Sequence, residues 1–322
     1  MTSSVQRTDG SGTRATIRVG TRGSELALTQ TGLVIDALKE ASPDVAFELV
    51  VIRTTGDKDR RQDVASLGVG VFVRELESAL RDRRIDIAVH SLKDMQSSLP
   101  GDFALAAVPP REDPRDALIS RSGMTLEELP AGSRVATGSA RRRALVTSTR
   151  PDLIVVPLRG NVPTRLEKLE DADGPDAVIL AAAGLKRLKL QDRITQYLPC
   201  SKFVAAVGQG ALALETRADD THVIGLAEKL DDRATRLAVT AERAFLNAIG
   251  GGCSSSVSAH AKVDGDRIEI SAFASSPDGQ RIIRENIVDD ASSVSGVAKL
   301  GMRLGELFVE RGARQLISGE PE

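Results

Sequence analysis

Asp86-Ile87-Ala88-Val89-His90-Ser91-Leu92-Lys93-Asp94 reads as an apolar strand that runs straight into four polar side chains. Its apolar part, Ile85–His90, follows a helical pattern over Val71–Arg83, and strands alternating with helices indicate parallel α/β architecture. In such a fold the polar end of the strand stands at the mouth of a cleft, where α/β proteins bind ligands. A carboxylate placed there accepts N–H donors and stabilises a developing cation. The blander reading is a loop with Lys93 and Asp94 paired in solvent.

Upstream, Thr16–Gly20 reads as a strand, Ser24 as the cap of a helix running to about Ala41, and Phe47–Ile52 as a second strand. Gly56–Gly70 is polar, charged and glycine-bearing, and is expected to be a mobile loop. Downstream the pattern restarts: strands at Arg134–Thr137, Leu153–Pro157 and Ala177–Ala181 alternate with helices at Ser139–Thr149 and Asn161–Leu169. Two similar α/β lobes with hinges near 110 and 205 are expected. From about Arg233 the texture changes to a helix, Thr235–Ile249, then strands near Val257–Val263, Arg267–Ala274 and Arg281–Ile287. A final helix follows over about Ala291–Arg311. The expected division is a disordered tail over 1–14, domain 1 over 15–110 with 205–230, domain 2 over 111–204, and an α+β domain 3 over 231–322.

Composition narrows the function. The 322 residues carry 43 Lys plus Arg against 45 Asp plus Glu, a net charge of −2, and 2% aromatics. Neither the basic excess nor the stacking platforms of a nucleic-acid binder are present. The apolar run Ala177–Leu185 is nine residues long, and a membrane span needs roughly 18 or more. The first residues have no apolar signal-peptide core. Two cysteines, Cys200 and Cys253, make neither a disulfide framework nor a zinc knuckle, and sparse cysteine suits a reducing compartment. The expectation is a cytoplasmic protein with no metal, nucleic-acid or membrane partner.

Two more features carry chemistry. Between Ser139 and Leu166 six arginines, Arg141, Arg142, Arg143, Arg150, Arg159 and Arg165, are opposed by Asp152 alone. Three of them fall in the first turn of a helix, where the dipole disfavours cations. Bound anions would offset that, since guanidinium forks match carboxylates. A solvated face is the competing reading, and phosphate ligands fit the charge equally well, although no phosphate-binding G-x-x-x-x-G-K-[ST] loop is found. Gly250-Gly251-Gly252-Cys253 leaves a thiol uncrowded after a helix. It is either an accessible nucleophile or a small apolar residue past a helix end.

Taken together these segments resemble the porphobilinogen deaminase family over about 15–320. The resemblance rests on an ordered set of stretches. Thr21-Arg22-Gly23-Ser24 comes first, then Val71-Phe72-Val73-Arg74-Glu75, His90-Ser91-Leu92-Lys93-Asp94 and Arg111-Glu112-Asp113-Pro114-Arg115-Asp116. Gly138-Ser139-Ala140-Arg141-Arg142, Leu158-Arg159-Gly160-Asn161, Ala183-Gly184-Leu185-Lys186-Arg187, Val207-Gly208-Gln209-Gly210, Thr240-Ala241-Glu242-Arg243 and Gly251-Gly252-Cys253 follow. The chain departs from the family pattern at Ser254-Ser255-Ser256, at Val69-Gly70 and at Met95-Gln96.

The resemblance implies two periplasmic-binding-protein-like (type II) lobes plus a smaller C-terminal α+β domain. It implies a hydroxymethylbilane synthase that joins four porphobilinogen molecules head to tail on a dipyrromethane cofactor bonded to Cys253; a monomer is expected separately, because the third domain completes the cleft without a partner. Asp94 would be the catalytic carboxylate. Ser24, Lys93, Asp94, Thr137, Ser139, Arg141, Arg142, Gly160 and Arg187 would hold the cofactor. Arg22, Ser24, Phe72, Arg159, Arg165 and Gln209 would hold substrate. The competing classes are a non-catalytic ligand-binding protein of the same two-lobed build and an anion-dependent enzyme such as a phosphate-ester transferase.

Overall fold

The computed structural model describes residues 16–52, 71–250 and 255–319. The tail expected over 1–14, the loop expected over 56–70 and Cys253 lie outside the described residues, as does the Phe72 side chain.

The chain begins with β1 (Ile17–Thr21), α1 (Glu25–Ala41), β2 (Phe47–Val51), α2 (Val71–Arg81), β3 (Ile87–Ser91) and β4 (Phe103–Ala107). It continues with β5 (Asp116–Ser120), β6 (Arg134–Ala136), α3 (Ala140–Thr149), β7 (Ile154–Val156), α4 (Val162–Glu170), β8 (Ala177–Ala181), α5 (Ala182–Arg187), β9 (Gln196–Leu198) and β10 (Leu212–Arg217). The last elements are α6 (Thr221–Ala227), α7 (Arg233–Ile249), β11 (Val257–Asp264), β12 (Arg267–Ser275), β13 (Ile282–Asp290), α8 (Val294–Glu310) and α9 (Ala313–Ser318). Side-chain caps set the helix starts: Ser24 accepts from the Ala27 amide, Ser139 from Arg142, Asn161 from Thr164 and Asp232 from Thr235. The helix expected over about Ala291–Arg311 is α8; Gly312, with a left-handed φ of 82°, separates it from a further short helix, α9, beyond the elements expected from the sequence.

These elements make two compact units. The first runs up to His90 and takes in Leu99–Val108 and Ala213–Asp231. Its sheet has the order β2-β1-β3-β10-β4. β1 pairs in parallel with β2 and β3, whereas β10 and β4 are antiparallel. Ile85, Ile87, Leu76 and Leu80 are fully buried in its core.

The second unit comprises Ser91–Ser98, Pro109–Leu212 and the chain from Asp232. Its larger sheet has the order β7-β6-β8-β5-β9, with β6 parallel to β7 and β8, and β5 antiparallel to β8 and β9. Both five-stranded sheets thus share one plan: three strands joined by helical crossovers, a strand from outside those crossovers (β10 in one, β5 in the other), then an edge strand. This is the plan of a type II periplasmic-binding-protein-like lobe. The sheets are mixed rather than purely parallel, since a strand arriving from outside the crossover units has no fixed direction.

Also in the second unit, β11-β12-β13 form an antiparallel sheet. It packs with α7 and α8 through Phe245, Leu304, Phe308 and Ile270. Phe273 of β12 is buried with Leu118, Leu145 and Phe203, so the segments expected as domains 2 and 3 share packing inside one unit. Gly250 ends α7 with φ 77°, a conformation that an L side chain strains. The backbone thereby turns sharply just before 251–254.

Candidate active site

The polar end of β3 becomes a single 3-10 turn, Leu92–Asp94. Apolar anchors hold it. Leu92 and Met95 are buried, and the Leu92 amide donates to the Ala211 carbonyl at 3.0 Å. Lys93 is left half-buried and Asp94 exposed. Both line a cavity of about 170 Å³, together with Ser139, Arg141, Arg142, Gln209 and Arg243. The segment is therefore a turn anchored by buried apolar residues that presents a carboxylate and an ammonium to a half-open cavity.

The arginine field divides by partner. Arg141 and Arg142, 3% and 5% exposed, are not a solvated face. Asp116 at the start of β5 opposes them, with Arg141 Nη1 at 2.7 Å and Arg142 Nε at 2.9 Å. The anion that offsets their place in the first turn of α3 is thus part of the chain itself. Burial alone raises the Asp116 pKa, but Arg141 and Arg142 outweigh it and hold the carboxyl well below the usual range. Arg150 pairs with Asp152 and donates to the carbonyls of Leu126, Glu127 and Leu129, which ties a loop down far from this chemistry. Arg165 donates from Nε to the Gly160 carbonyl, Arg187 from Nη2 to the Gly210 carbonyl, and burial lowers the pKa of each.

Lys93 stands among these cations. Burial is the main force that pushes its pKa down to about 8; Arg142 and Arg141 add to the fall, while Asp94 and Asp116 oppose it. Its ammonium is poorly solvated and would gain from an incoming anion. Thr137 is buried, its Oγ1 accepting from the Ser139 amide at 3.2 Å, and it shapes the turn that delivers Ser139 and α3. Gly160 has φ 122°, and a Cβ there would meet Thr164 at 2.9 Å, so glycine is required at that turn. Arg159 beside it is exposed.

Of the residues expected at the site, the second unit gathers Lys93, Asp94, Ser139, Arg141, Arg142 and Gln209 around one cavity. Arg22 and Ser24 belong to the first unit, at the C-terminal end of β1 and the cap of α1. Three participants were not anticipated as site residues. Arg243 of α7 lines the cavity, and Asp116 holds its arginines. Glu242 accepts from Arg111 Nη1 at 2.6 Å, the Gly208 amide at 2.7 Å and the Ala261 amide at 2.8 Å. It is fully buried; Arg111, then His260, overcome the burial and hold its pKa near 2. Glu242 thereby fixes the Gly208-Gln209 turn. Asp116 ends the charged run Arg111-Glu112-Asp113-Pro114-Arg115-Asp116 and Glu242 stands beside Arg243, so neither was marked by an apolar context.

Among the described residues there is no group of three or more His, Cys, Asp or Glu placed to hold a metal ion, and no helix long and apolar enough to cross a membrane.

Solved structures similar to this chain include the VFT2 domain of BvgS from Bordetella pertussis (17% identity, 67% of this chain and 86% of that one, TM-score 0.40). YhfZ from Shigella flexneri is another (17% identity, 68% and 86%, TM-score 0.37). Sequence relatives are far closer. The porphobilinogen deaminase of Roseiflexus sp. (strain RS-1) is 46% identical over 307 residues, covering 95% of this chain and all of that protein. That of Bacillus subtilis (strain 168) is 44% identical over 305 residues, covering 94% and 95%. The family model for the porphobilinogen deaminase dipyromethane cofactor binding domain matches residues 17–225, and that for the porphobilinogen deaminase C-terminal domain matches 236–310. With the relatives matched along nearly their whole length, the chain belongs to the porphobilinogen deaminase family.

Proposed function

We propose that this enzyme is a hydroxymethylbilane synthase that extends a dipyrromethane primer, bonded to Cys253, by four porphobilinogen units and releases the linear product by hydrolysis. The observation that carries the reading is the pairing of one exposed carboxylate, Asp94, with Lys93, Arg141, Arg142 and Arg243 around a single cavity. Each pyrrole of primer and substrate carries an acetate and a propionate, so the ligand is polyanionic, and a cation-rich wall in a chain of net charge −2 fits it. When bound, the dipyrromethane would supply the free pyrrole α-carbon that takes the first unit, each later unit joining the ring added before it.

The chain's own residues then have distinct tasks. Asp94 accepts pyrrole N–H groups and stabilises positive charge as ammonia departs. Lys93 and Ser139 receive carboxylates at the cavity, with Arg141, Arg142 and Gln209 behind them. Thr137 and Gly160 shape the turns that present these groups. Arg159, Arg165 and Arg187 extend carboxylate binding in the same unit; Arg22, Ser24 and Phe72 of the first unit are the further substrate-binding residues that the family resemblance gives. The same reading makes the working form a single cytoplasmic chain, without nucleic-acid or membrane partners; the sparse cysteines and near-zero net charge support it.

Intact mass of the purified protein, with peptide mapping across Cys253, tests this. The expected result is an added mass of two linked pyrrole units on the Cys253 peptide. A bare thiol that stays bare after incubation with porphobilinogen, with no bilane formed, would return the chain to the class of non-catalytic binding proteins.

A further inference from the structure

Asp116 is a fully buried carboxylate with no solvent to share its charge. Oδ2 accepts from Arg141 Nη1 at 2.7 Å, and Oδ1 accepts from Arg142 Nε at 2.9 Å and Gln209 Nε2 at 2.9 Å. The same guanidiniums are pinned again by backbone. Arg141 Nη1 donates to the Val204 carbonyl at 2.8 Å and Arg142 Nη1 to the Ile179 carbonyl at 3.1 Å. Gln209 completes the lattice, accepting from Arg142 Nη2 at 3.3 Å and donating to the Pro114 carbonyl at 2.7 Å. All three partners of Asp116 line the cavity that holds Lys93 and Asp94.

We propose that Asp116 is a positioning residue for the reaction: it pins Arg141 and Arg142 to the cavity wall and cancels one of their two charges, so that Lys93, Asp94 and a bound carboxylate face a wall of fixed and moderated charge. Two adjacent guanidiniums without this carboxylate repel one another in a low-dielectric interior, and each then turns toward whatever anion it finds. With Asp116 in place they stay put, and the cavity offers a ligand carboxylate a defined geometry rather than two mobile cations. The carboxylate-binding part of this proposal rests on the functional reading above; the charge-setting part does not.

Lys93 is the natural reporter. The charged groups that bear on it include Asp94 on its own turn, Asp116 on β5, and Arg141 and Arg142 on α3, and Arg243 of α7 lines the same cavity. Arg165 on α4 bears on Arg142 and Asp94 in turn. Removing the negative charge of Asp116 should lower the Lys93 titration midpoint, and removing the positive charge of Arg141 should raise it. A change of fold alone has no reason to give opposite signs.

The experiment is competitive acylation of the full-length protein across pH, reading Lys93 by peptide mapping in wild type, Asp116→Asn, Arg141→Gln and the double variant. The expected result is a midpoint that falls in Asp116→Asn and rises in Arg141→Gln by about half a unit or more each, and returns near wild type in the double variant, whose net charge is restored. Equal midpoints throughout, or movement in one direction in both single variants, overturn the proposal. Should Asp116→Asn fail to fold, Arg141→Gln and the double variant decide in the same way. The readout needs no turnover. A wild-type protein that forms no bilane, while Lys93 shifts as described, counts against the functional reading and leaves the placement of Asp116 standing.

Discussion

His90 Nε2 lies 2.9 Å from Oε2 of Glu215, with the imidazole 6% and the carboxylate 0% exposed. The two stand on β3 and β10, neighbours in the first sheet. Oε1 of Glu215 has no hydrogen-bond partner among the described residues, so the imidazole is its main compensation. His90→Ala is expected to destabilise the protein by about 1–3 kcal/mol, because it leaves a buried carboxyl oxygen without its hydrogen-bond partner. Replacing both residues by leucine should cost much less. Urea unfolding of the two variants checks the ordering; equal losses would show that the pair contributes no more than packing.

Glu77 faces the same pair from α2, and here the sign of the pH dependence is informative. Burial, then Glu215, raises its pKa above the ordinary 4.5, with His90 and Arg81 pulling the other way and Asp102 adding a small rise. A raised carboxyl pKa favours the folded state only while the group is protonated, and that advantage is lost as pH climbs through the native value. Glu77→Gln is therefore expected to raise the melting temperature at pH 7. The gain should shrink toward nothing as the pH falls below about 4.5, where the parent's own carboxyl is protonated. Melting curves at pH 4 and pH 7 measure it.

These buried charges also mark where the sequence was opaque. Helix starts were legible because a cap is a local signal: Ser24, Ser139 and Asn161 each stand beside the amides they satisfy. The strand Ala177–Ala181 was read with its observed bounds because it is apolar throughout. Strands β5 and β10 were not anticipated. β10 carries Glu215, Thr216 and Arg217, all buried, in a stretch whose polarity suggests exposure. Their partners are remote: Arg217 meets Asp86, 131 residues away. Asp116 escaped notice as a site residue for the same reason, since its arginines lie 25 and 26 residues on. A charge is compatible with a core only through its partner, and pairing at that range is a property of the fold.

Close helix packing gives a third expectation. A Cβ on Gly301 of α8 would lie 2.1 Å from the carbonyl oxygen of Ala241 on α7, a backbone atom that cannot turn aside. Gly301→Ala should push α7 and α8 apart and cost about 1–3 kcal/mol or more. Thermal unfolding should show it directly. Gly225→Ala, with nothing within 4 Å of the added carbon, is the control and should be near neutral or stabilising.

Lys93 predicts a conflict between stability and function. Its native pKa of about 8 lies below the ordinary 10.5, chiefly through burial. A depressed lysine pKa penalises the folded state wherever the amine is charged in both states, fully below about 8 and not at all above about 10.5. Lys93→Met should thus melt higher than the parent at pH 7 and lose that margin as the pH approaches 10.5. Under the proposed function it should also carry less dipyrromethane by intact mass. Enhanced melting with unchanged cofactor loading would confine Lys93 to a passive place in the wall.

Asp94 is the sharpest functional test because structure and chemistry separate there. Its side chain is exposed at the cavity, and the turn that carries it is held by Leu92 and Met95, not by its own carboxylate. Asp94→Ala should therefore change stability by no more than about 0.5 kcal/mol. Removing the one carboxylate placed to stabilise developing positive charge should lower turnover about 10²- to 10³-fold. Asp94→Glu keeps the charge but moves it by one methylene, so it should lie between the two if position matters as well as sign. Bilane formation by each variant, measured on protein whose melting curve and cofactor mass match the parent, decides the point. Full activity in Asp94→Ala would remove this residue from the mechanism and send the search for the cation-stabilising group elsewhere in the chain.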